Sequence, residues 1–490
     1  MKVKSIKFNA IMNIILTMSS FIFPLITFPY TSRILMPDGM GRVSFATSIV
    51  YYFSIIAQLG IPTYGICECA KVREDVEKLS KTVHEILIIN VITTVISYIC
   101  FVISLFCIPR LAEEKTLFLI LSVSIFFNTL GVEWLYKALE KYQYITSRSI
   151  AFKVLSLLLL FTFVHKKDDY LIYAAITIFA SVGSNILNFI HLSKHVQFKW
   201  FGNYNLKRHL KPVLLLFSMS VASVIYTNLD TVMLGFLTSE EEVGYYTAAV
   251  KIKTIMVTVV TSLSTVLLPR VTYYWENGLR DEFYRVCEKT FKFLVLLASP
   301  IVIFFIIFAK EGIVFLSGAK YIPAVLSMQI IMPTVIFIGL SNLTGIQMMI
   351  PMGKTKFVLY SEILGAILDL GINFALIPIM GSAGAALGTV VAEFGVMLYQ
   401  FLIIKDFVIH AIKKIGFVKW ILAVIVSTVI GVITLSLNLV PFFQLLVSGI
   451  LFIGSYLLVL LVSKDELVCS IIYEMFNKCT RMIKRRNNDV

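Results

Sequence analysis

The chain has 490 residues, of which 58% are hydrophobic and only 15% are charged, and its net charge is +14. This composition is too apolar for a soluble globular domain and excludes that class. Apolar runs of about 20 residues, each long enough to cross a hydrocarbon core of about 30 Å, predict an all-α polytopic membrane protein. The predicted spans number fourteen, at about 10–31, 43–63, 84–108, 115–136, 146–164, 170–192, 213–236, 244–268, 291–309, 323–350, 357–378, 383–404, 418–438 and 442–462.

The distribution of basic residues predicts the orientation of these spans. With the N-terminus placed in the cytoplasm, 32 of the 43 Lys and Arg residues fall in cytoplasmic segments and eight fall in external ones. Cytoplasmic loops of membrane proteins carry such an excess of basic residues, so both termini are predicted to lie in the cytoplasm. The partners predicted for this basic charge are anionic membrane lipids, and nucleic acid is excluded.

Weak internal similarity predicts that the chain consists of two similar halves. The segment CECAKVREDVEKLSKTV carries Val72, Val76, Leu79 and Val83 on one side of a predicted amphipathic surface helix, and YYWENGLRDEFYRVCEK repeats the pattern about 207 residues later. GMGRVSFATS matches EEVGYYTAAV at an offset of about 202. Six spans in each half give both halves the same orientation, so they are predicted to be parallel repeats. The predicted domains are an N-terminal six-helix half at 1–205, a C-terminal six-helix half at 206–408, and a further helix pair with a basic tail at 409–490.

The motif content argues for a transporter and against an enzyme. The sequence contains no P-loop, no GxSxG, no HExxH and no GxGxxG motif, and all predicted external segments are short. Its seven cysteines do not have the spacing of a zinc site. We therefore expect no catalytic residues, no metal site and no cofactor. Coupling of transport to a proton or a sodium ion is left open.

Polar residues at helical spacing mark the first and the seventh predicted spans. Such stripes avoid lipid and predict a central cavity, although hydrogen bonding between packed helices would produce the same pattern. Pro24 and Pro29 predict a hinge in the first span. The predicted cavity residues are Asn13, Thr17, Ser20 and Thr27 in the first span and Ser223 and Thr227 in the seventh.

Charged residues inside the spans are energetically costly and therefore point to function. Lys153, Lys251 and Lys253 are predicted substrate contacts. Lys251 and Lys253 are two residues apart on a helix, which leaves open which of them faces the cavity. For Lys153 the alternative is a side chain that extends to the cytoplasmic surface. For the acidic residues the alternative is ion pairing with each other or with these lysines. The predicted coupling or gating residues are Asp230, Glu362, Asp369 and Glu393.

Three segments carry a resemblance to known transporters. LDTVMLGFLTSEEEVGYYTAA resembles the first-helix signature of the multidrug and toxin extrusion transporters. FPLITFPYTSRILMPDGMGRVSFATS and ALIPIMGSAGAALGTVVAE resemble the polysaccharide flippases, which translocate O-antigen and capsule repeat units, of the multidrug/oligosaccharidyl-lipid/polysaccharide exporter superfamily. The resemblance implies a V-shaped bundle of two six-helix halves with an extra helix pair, located in the bacterial plasma (inner) membrane.

The resemblance also implies a function and roles for two charged residues. It implies export of an undecaprenyl-diphosphate-linked oligosaccharide by alternating access, with a polysaccharide polymerase and a chain-length regulator as candidate partners. Asp230 matches an aspartate that binds the coupling cation in the extrusion branch, but here it stands in the seventh span and Arg33 occupies the comparable part of the first. We expect Asp230 to line the outer mouth of the cavity and to pair there with Arg33, which is also a predicted substrate contact.

Three rival functions remain open at this stage. A cation-coupled multidrug exporter would favour an acidic and aromatic cavity, and Arg33 and the lysines count against it. A lipid II flippase should carry more arginine in its first span than Arg33 alone. A membrane O-antigen ligase or polymerase, which belongs to a different class of protein, should have a large external loop.

Overall fold

The structure is a computed structural model that describes residues 6–470; the side chains at 6, 7, 10, 21, 219, 220, 222, 223, 225, 226 and 263–266 lie outside that description. Every regular element among the described residues is a helix, which confirms the predicted all-α class. The chain divides into two compact units, 1–247 and 248–490. The predicted domain boundaries at 205 and 408 stay predictions.

Among its described residues the first unit contains ten α-helices and a 3₁₀ helix (Lys167–Asp169), and an eleventh α-helix begins in it. They are α1 (Ile6–Gln58), α2 (Ile61–Lys71), α3 (Val76–Cys107), α4 (Pro109–Ala112), α5 (Lys115–Leu130), α6 (Glu133–Ala138), α7 (Tyr142–Phe163), α8 (Tyr170–Val182), α9 (Ser184–Leu192), α10 (Lys207–Leu237) and α11 (Glu240–Glu276). The second unit contains the rest of α11 and the remaining helices. They are α12 (Arg280–Ile307), α13 (Ala309–Ser317), α14 (Ala324–Ile331), α15 (Thr334–Ser341), a π-helical segment (Asn342–Met349), α16 (Thr355–Met380), α17 (Ser382–Ile403), α18 (Lys405–Lys413), α19 (Phe417–Leu435) and α20 (Pro441–Val462).

Twelve helical segments among the described residues are long and apolar enough to cross a membrane. The first of them runs from Ile11 to Lys71 and covers the first two predicted spans. The seventh predicted span corresponds to α10, which is not among the twelve. The polytopic character of the chain is confirmed, whereas the count of fourteen spans stays a prediction.

Helix α1 is interrupted at Met36, whose backbone angles are φ 61° and ψ 175°. Pro37 follows directly, and a proline disfavours helical geometry at the residue before it. The break divides α1 into a first arm that ends at 35 and a second arm from 37 to 58. Pro24 and Pro29 lie inside the first arm, where the backbone is helical. The structure thus breaks the helix about two turns beyond Pro29 and more than three turns beyond Pro24, and their hinge role stays a prediction.

The first arm of α1 has few neighbours along much of its length. Ile14 and Met18 are each 57% exposed and Ile22 is 50% exposed. The hydroxyl of Thr146, from α7, donates a hydrogen bond to the carbonyl oxygen of Met12 at 3.0 Å. The side of this arm that faces α7 is therefore attached, and much of the rest of its surface is uncovered.

The predicted surface helix between Val72 and Val83 is wrong as a single element. α2 ends at Lys71 and α3 begins at Val76, so the chain turns between them. The Asp75 carboxylate caps α3 by accepting hydrogen bonds from the backbone N–H groups of Glu77 and Lys78, at 3.1 and 3.0 Å. The bond from the Lys78 N–H is the main cause that holds the pKa of Asp75 below its usual value. A strong N-cap in the middle of the periodic pattern starts a new helix there.

In the first unit, ion pairs connect predicted external segments with each other and predicted cytoplasmic segments with each other. The pairs of the external set are Arg42–Asp38, Arg42–Glu114, Lys167–Asp38 and Arg110–Glu240. The pairs of the cytoplasmic set are Arg73–Glu140, Lys199–Glu77 and Arg208–Glu85. Loops that share a side of a membrane must meet in this way, so the predicted alternation of loops is consistent with the fold of this unit.

Reporter fusions test which end is cytoplasmic. We expect a fusion at Asn203, in the loop before α10, to report the cytoplasm, and one at Glu241, in the first turn of α11, to report the exterior. The positive-inside distribution is the physical reason. A matched pair of enzymatic reporters, active on opposite sides of the membrane, provides the measurement. The same compartment for both fusions would remove the single crossing that α10 makes between them.

The last two helices pack onto α12 in the second unit. The Trp420 indole N–H of α19 donates to the Ser299 hydroxyl at 2.9 Å, and the Tyr456 hydroxyl of α20 donates to the carbonyl oxygen of Leu296 at 3.0 Å. Phe304 and Phe452 are in edge contact, with ring centroids 5.6 Å apart. The helix pair is thereby fixed to one helix of the unit by both polar and aromatic contacts.

Candidate functional site

A groove of about 390 Å³ runs between the first arm of α1 and helix α7. Eight of its ten lining residues are apolar, and the other two are Ser19 and Lys153. The Lys153 ammonium donates hydrogen bonds to the hydroxyl oxygens of Ser19 and Ser20, each at 2.9 Å. An apolar groove with one cation is the arrangement that an amphiphilic anion requires.

Lys153, which lines this groove, contacts a second predicted site residue, Ser20, beside it. The contact is made sideways onto α1 from the middle of α7, so the side chain is not directed only toward the cytoplasmic end of its own helix. Ser19, which the sequence analysis did not select, completes the contact. The polar stripe of Asn13, Thr17 and Ser20 lies on the neighbouring face of the helix. The role of Ser19 depends on its contact with Lys153 of α7, which the sequence does not show.

The other predicted residues of α1 differ in their exposure. Asn13 and Thr17 are exposed, and the Thr17 hydroxyl donates to the Asn13 carbonyl oxygen at 2.9 Å. Thr27 is buried, and its hydroxyl donates to the carbonyl oxygen of Phe23 in the same helix at 3.1 Å. Arg33 is exposed and donates to the Pro29 carbonyl oxygen at 2.5 Å.

Asp230 lies at a buried contact between α10 and α11. Its side chain is only 6% exposed and accepts a hydrogen bond from the hydroxyl of Tyr246. Tyr246 covers this carboxylate from α11. The predicted position of Asp230 at the outer mouth of a cavity stays a prediction. The expected pairing with Arg33 stays a prediction. Thr227 is exposed on α10, and Ser223 is among the side chains outside the described set.

The predicted charged residues of the second unit separate into two groups. Asp369 and Glu393 are buried, with exposures of 2% and 9%, on the paired helices α16 and α17. Glu362 is exposed, although it lies on α16 seven residues before Asp369 and therefore on about the same side of that helix. Lys251 and Lys253 are both half-buried on α11, so their burial does not distinguish between them.

Small residues explain how α16 and α17 approach each other around Asp369. A Cβ atom added to Gly388 would lie 2.1 Å from Asn373 Oδ1 and 3.1 Å from Asp369 Oδ1. One added to Gly384 would lie 2.5 Å from the Leu376 carbonyl oxygen. The glycines of GSAGAALGT therefore let two helix backbones meet and hold a carboxylate and an amide at the contact.

A glycine contact that the sequence analysis did not identify joins the second arm of α1 to the first turns of α11. A Cβ atom on Gly41 would lie 1.7 Å from the Glu240 carbonyl oxygen, and one on Gly244 would lie 2.1 Å from the Pro37 carbonyl oxygen. Arg110 pairs with Glu240 at 3.0 Å beside it. We call this contact the glycine seam. Both glycines lie in segments that matched each other as repeats, GMGRVSFATS and EEVGYYTAAV, but that match did not predict their contact.

A buried polar network at the opposite end of the first unit was also missed. The His209 ring lies between the Tyr64 hydroxyl, 2.7 Å from Nδ1, and the Glu85 carboxylate, 2.8 Å from Nε2. Arg208 donates to the same carboxylate at 2.6 Å. Both His209 and Glu85 are fully buried. The network ties α10 to α2 and α3; its sequence signal was an acidic residue just inside the third predicted span.

The fold and the groove define a multi-pass helical membrane protein with a cation held inside an apolar helix contact. The polysaccharide biosynthesis protein family model matches residues 6–275, and the MatE family model matches residues 216–375. The chain belongs to the polysaccharide biosynthesis protein family, which confirms the resemblance stated from its motifs.

Individual relatives agree with this membership. A protein of Escherichia coli (strain K12) that carries the provisional name O-antigen transporter is 24% identical over 394 residues, which cover 79% of this chain and 94% of the relative. A solved lipid II flippase in an inward-closed conformation shares the fold with a TM-score of 0.73 at 16% identity, over 95% of this chain and 99% of that one. An inward-facing multidrug resistance transporter of the MATE family gives 0.62 at 12% identity, over 82% and 99%.

Proposed function

We propose that this protein is a flippase that moves undecaprenyl-diphosphate-linked oligosaccharide repeat units across the bacterial plasma membrane for surface polysaccharide assembly. The observation that carries the proposal is Lys153, whose ammonium lies in an otherwise apolar groove next to two serine hydroxyls. A diphosphate inside a membrane needs a cation and hydrogen-bond donors, and its prenyl chain needs an apolar surface. Both requirements are met within one groove.

The relatives support this substrate class over the rivals. The Escherichia coli relative is named for O-antigen transport, and the family model is that of polysaccharide biosynthesis. The fold shared with a lipid II flippase keeps that lipid as the second candidate substrate, because it has the same prenyl diphosphate chemistry. A drug exporter would not require a lysine at the centre of an apolar groove. We expect a polysaccharide polymerase and a chain-length regulator to use the exported repeat units.

We also propose that a proton or a sodium ion drives the cycle, with the buried carboxylates as its binding groups. Asp369 and Glu393 lie on the closely packed pair α16 and α17, and Asp230 is buried in the first unit. A carboxylate that is removed from water favours binding of a cation or a proton. Each would then bind its ion in one state of the alternating-access cycle and release it in the other.

A transport assay in cells and in vesicles tests the proposed function. Deletion of the gene should remove surface polysaccharide while lipid-linked repeat units accumulate on the cytoplasmic leaflet. The purified protein in vesicles should expose undecaprenyl-diphosphate oligosaccharide to an external glycosidase, and collapse of the ion gradient should stop this exposure. Translocation of lipid II but not of the oligosaccharide lipid would refute the proposed substrate. Repeat units that still reach the outer face in the deletion strain would favour a polymerase.

A further inference from the structure

A second cavity, of about 680 Å³, lies in the second unit, far along the chain from the groove of Lys153. It forms where the first turns of α12, the end of α18, the start of α19 and the segment after α20 meet. Six of its lining residues are basic and three are acidic, so its lining has a net charge of +3. The basic lining residues are Arg285, Lys289, Lys292, Lys413, Lys414 and Lys419. We call this the basic cavity.

Two of the three acidic residues that line the basic cavity, Asp465 and Glu288, are already paired with particular lysines, and the third, Glu466, is exposed. Lys292 pairs with Asp465 at 2.7 Å, and both side chains are largely buried, at 13% and 3% exposure. Lys414 pairs with Glu288, also at 2.7 Å. Two ion pairs therefore form the frame of the cavity. They hold α12 to α18 and α19 on one side and to the segment after α20 on the other.

Lys289 and Lys413 are the cations that this frame leaves available. Both are exposed, and within residues 6–470 neither forms an ion pair with a carboxylate. Lys419 donates to a backbone carbonyl oxygen, that of Lys464, at 3.0 Å. Lys289, Lys413 and Lys419 thus bring three positive charges to one cavity, against the one further carboxylate of Glu466, and this excess of positive charge favours an anion.

The depth of the basic cavity in the membrane indicates which anion it meets. The apolar stretch of α19 begins at Phe417 and that of α20 ends at Val462, directly beside the cavity. Trp420, a residue type enriched at membrane interfaces, lies one position after Lys419. Val418 and Val462 are 80% and 75% exposed, so the cavity opens next to uncovered apolar side chains. Positive charge and exposed apolar side chains therefore lie next to each other here, which matches the charged headgroup and apolar chains of an anionic lipid.

We propose that the basic cavity binds the phosphate headgroup of an anionic phospholipid, with the acyl chains against the exposed apolar faces of α19 and α20. Lys289, Lys413 and Lys419 would donate to the phosphate oxygens, and the Lys292–Asp465 pair would hold the cavity open. Basic pockets between membrane helices at the cytoplasmic surface are typical sites for such headgroups. The predicted orientation places this cavity at the cytoplasmic leaflet.

Lipid binding to the full-length protein tests this proposal. Native mass spectrometry in detergent should detect bound dioleoyl phosphatidylglycerol in preference to dioleoyl phosphatidylcholine. The double variant Lys289→Gln/Lys413→Gln should lower the affinity for phosphatidylglycerol at least about tenfold, since two of the cations are lost. Lys289→Arg/Lys413→Arg should retain it. The matched control, Lys354→Gln/Lys356→Gln, removes two lysines of another predicted cytoplasmic loop and should change nothing.

Three results would overturn the proposal. Equal binding of phosphatidylglycerol and phosphatidylcholine would show that charge does not select the lipid. An unchanged affinity in the Lys289→Gln/Lys413→Gln protein, with the same thermal unfolding midpoint as the wild type, would place the lipid elsewhere. Full displacement of the lipid by equimolar glycerol 3-phosphate would show that the cavity recognises a free phosphate and takes nothing from the acyl chains.

Discussion

Replacement of Gly244 by valine is expected to abolish transport while the protein remains folded in the membrane. Even a Cβ atom at this position would lie 2.1 Å from the Pro37 carbonyl oxygen, closer than real Cβ contacts allow. Because the obstacle is backbone, a rotamer change cannot relieve it and the glycine seam must separate. Overpacking costs about 1–3 kcal/mol, which shifts a two-state equilibrium about 5- to 150-fold. A transporter that works by alternating access cannot complete its cycle if one end stays open.

The separation itself can be measured in the same variant. Met40 is 3% exposed beside the seam, so a cysteine placed there should become reactive to a thiol reagent when Gly244 is valine. Gly371→Ala is the matched control, since a Cβ atom at Gly371 meets nothing within 4 Å, and it should transport normally. Wild-type transport by Gly244→Val, at equal protein level, would show that the seam does not have to close.

Replacement of Lys153 by glutamine is expected to reduce transport about tenfold or more, with the apparent affinity for the lipid-linked substrate most affected. A hydrogen bond to a charged group is worth about 1.5–3 kcal/mol, which corresponds to roughly 10- to 150-fold. Lys153→Arg should keep part of the activity, because the charge remains while the geometry changes. Vesicle transport at varied substrate concentration provides the measurement.

Lys166 offers the control for this experiment. It is an exposed lysine in the segment between α7 and α8, outside the groove, and Lys166→Gln should behave like the wild type. If Lys153→Gln and Lys166→Gln transport equally well, the groove between α1 and α7 does not carry the substrate charge. The proposed flippase function would then need a different cation, of which Lys251 and Lys253 are the remaining candidates inside the predicted spans.

The sequence was most informative for residues that are energetically favourable in only one kind of environment. Apolar runs of 20 residues can only be buried in a membrane, so the helical polytopic fold followed from composition. A lysine in the middle of a span needs polar neighbours, and Lys153 has them in Ser19 and Ser20, although the sequence did not predict this contact. The break in α1 did not follow, because three prolines lie in this helix and the backbone stays helical at Pro24 and Pro29 but breaks at Met36, before Pro37.

Contacts between distant parts of the chain were the main feature that sequence reasoning could not supply. Tyr64 and His209 meet although they are 145 positions apart, and no periodicity within either helix indicates the other. Gly41 and Gly244 were in segments that matched as repeats, yet a repeat predicts similar structure and says nothing of mutual contact. A single sequence also does not show which residue will contact a carboxylate within a span. In the structure Asp230 is contacted by Tyr246 from the next helix.

The N–H donors of Lys153 that attach the first arm of α1 are the same donors that an anionic ligand in the groove would use. An ammonium group has three N–H donors, and two of them are committed to Ser19 and Ser20 on the loosely packed first arm of α1. An anion that takes these donors would remove one polar attachment of that arm. Its other polar attachments include the bonds from Asn9 to Glu140, from Thr146 to Met12 and from Tyr30 to Val164. By linkage, whatever releases the arm must strengthen anion binding by the same factor that the anion loosens the arm. A single coupling free energy would therefore link the affinity of Lys153 for an anion to the attachment of the first arm of α1.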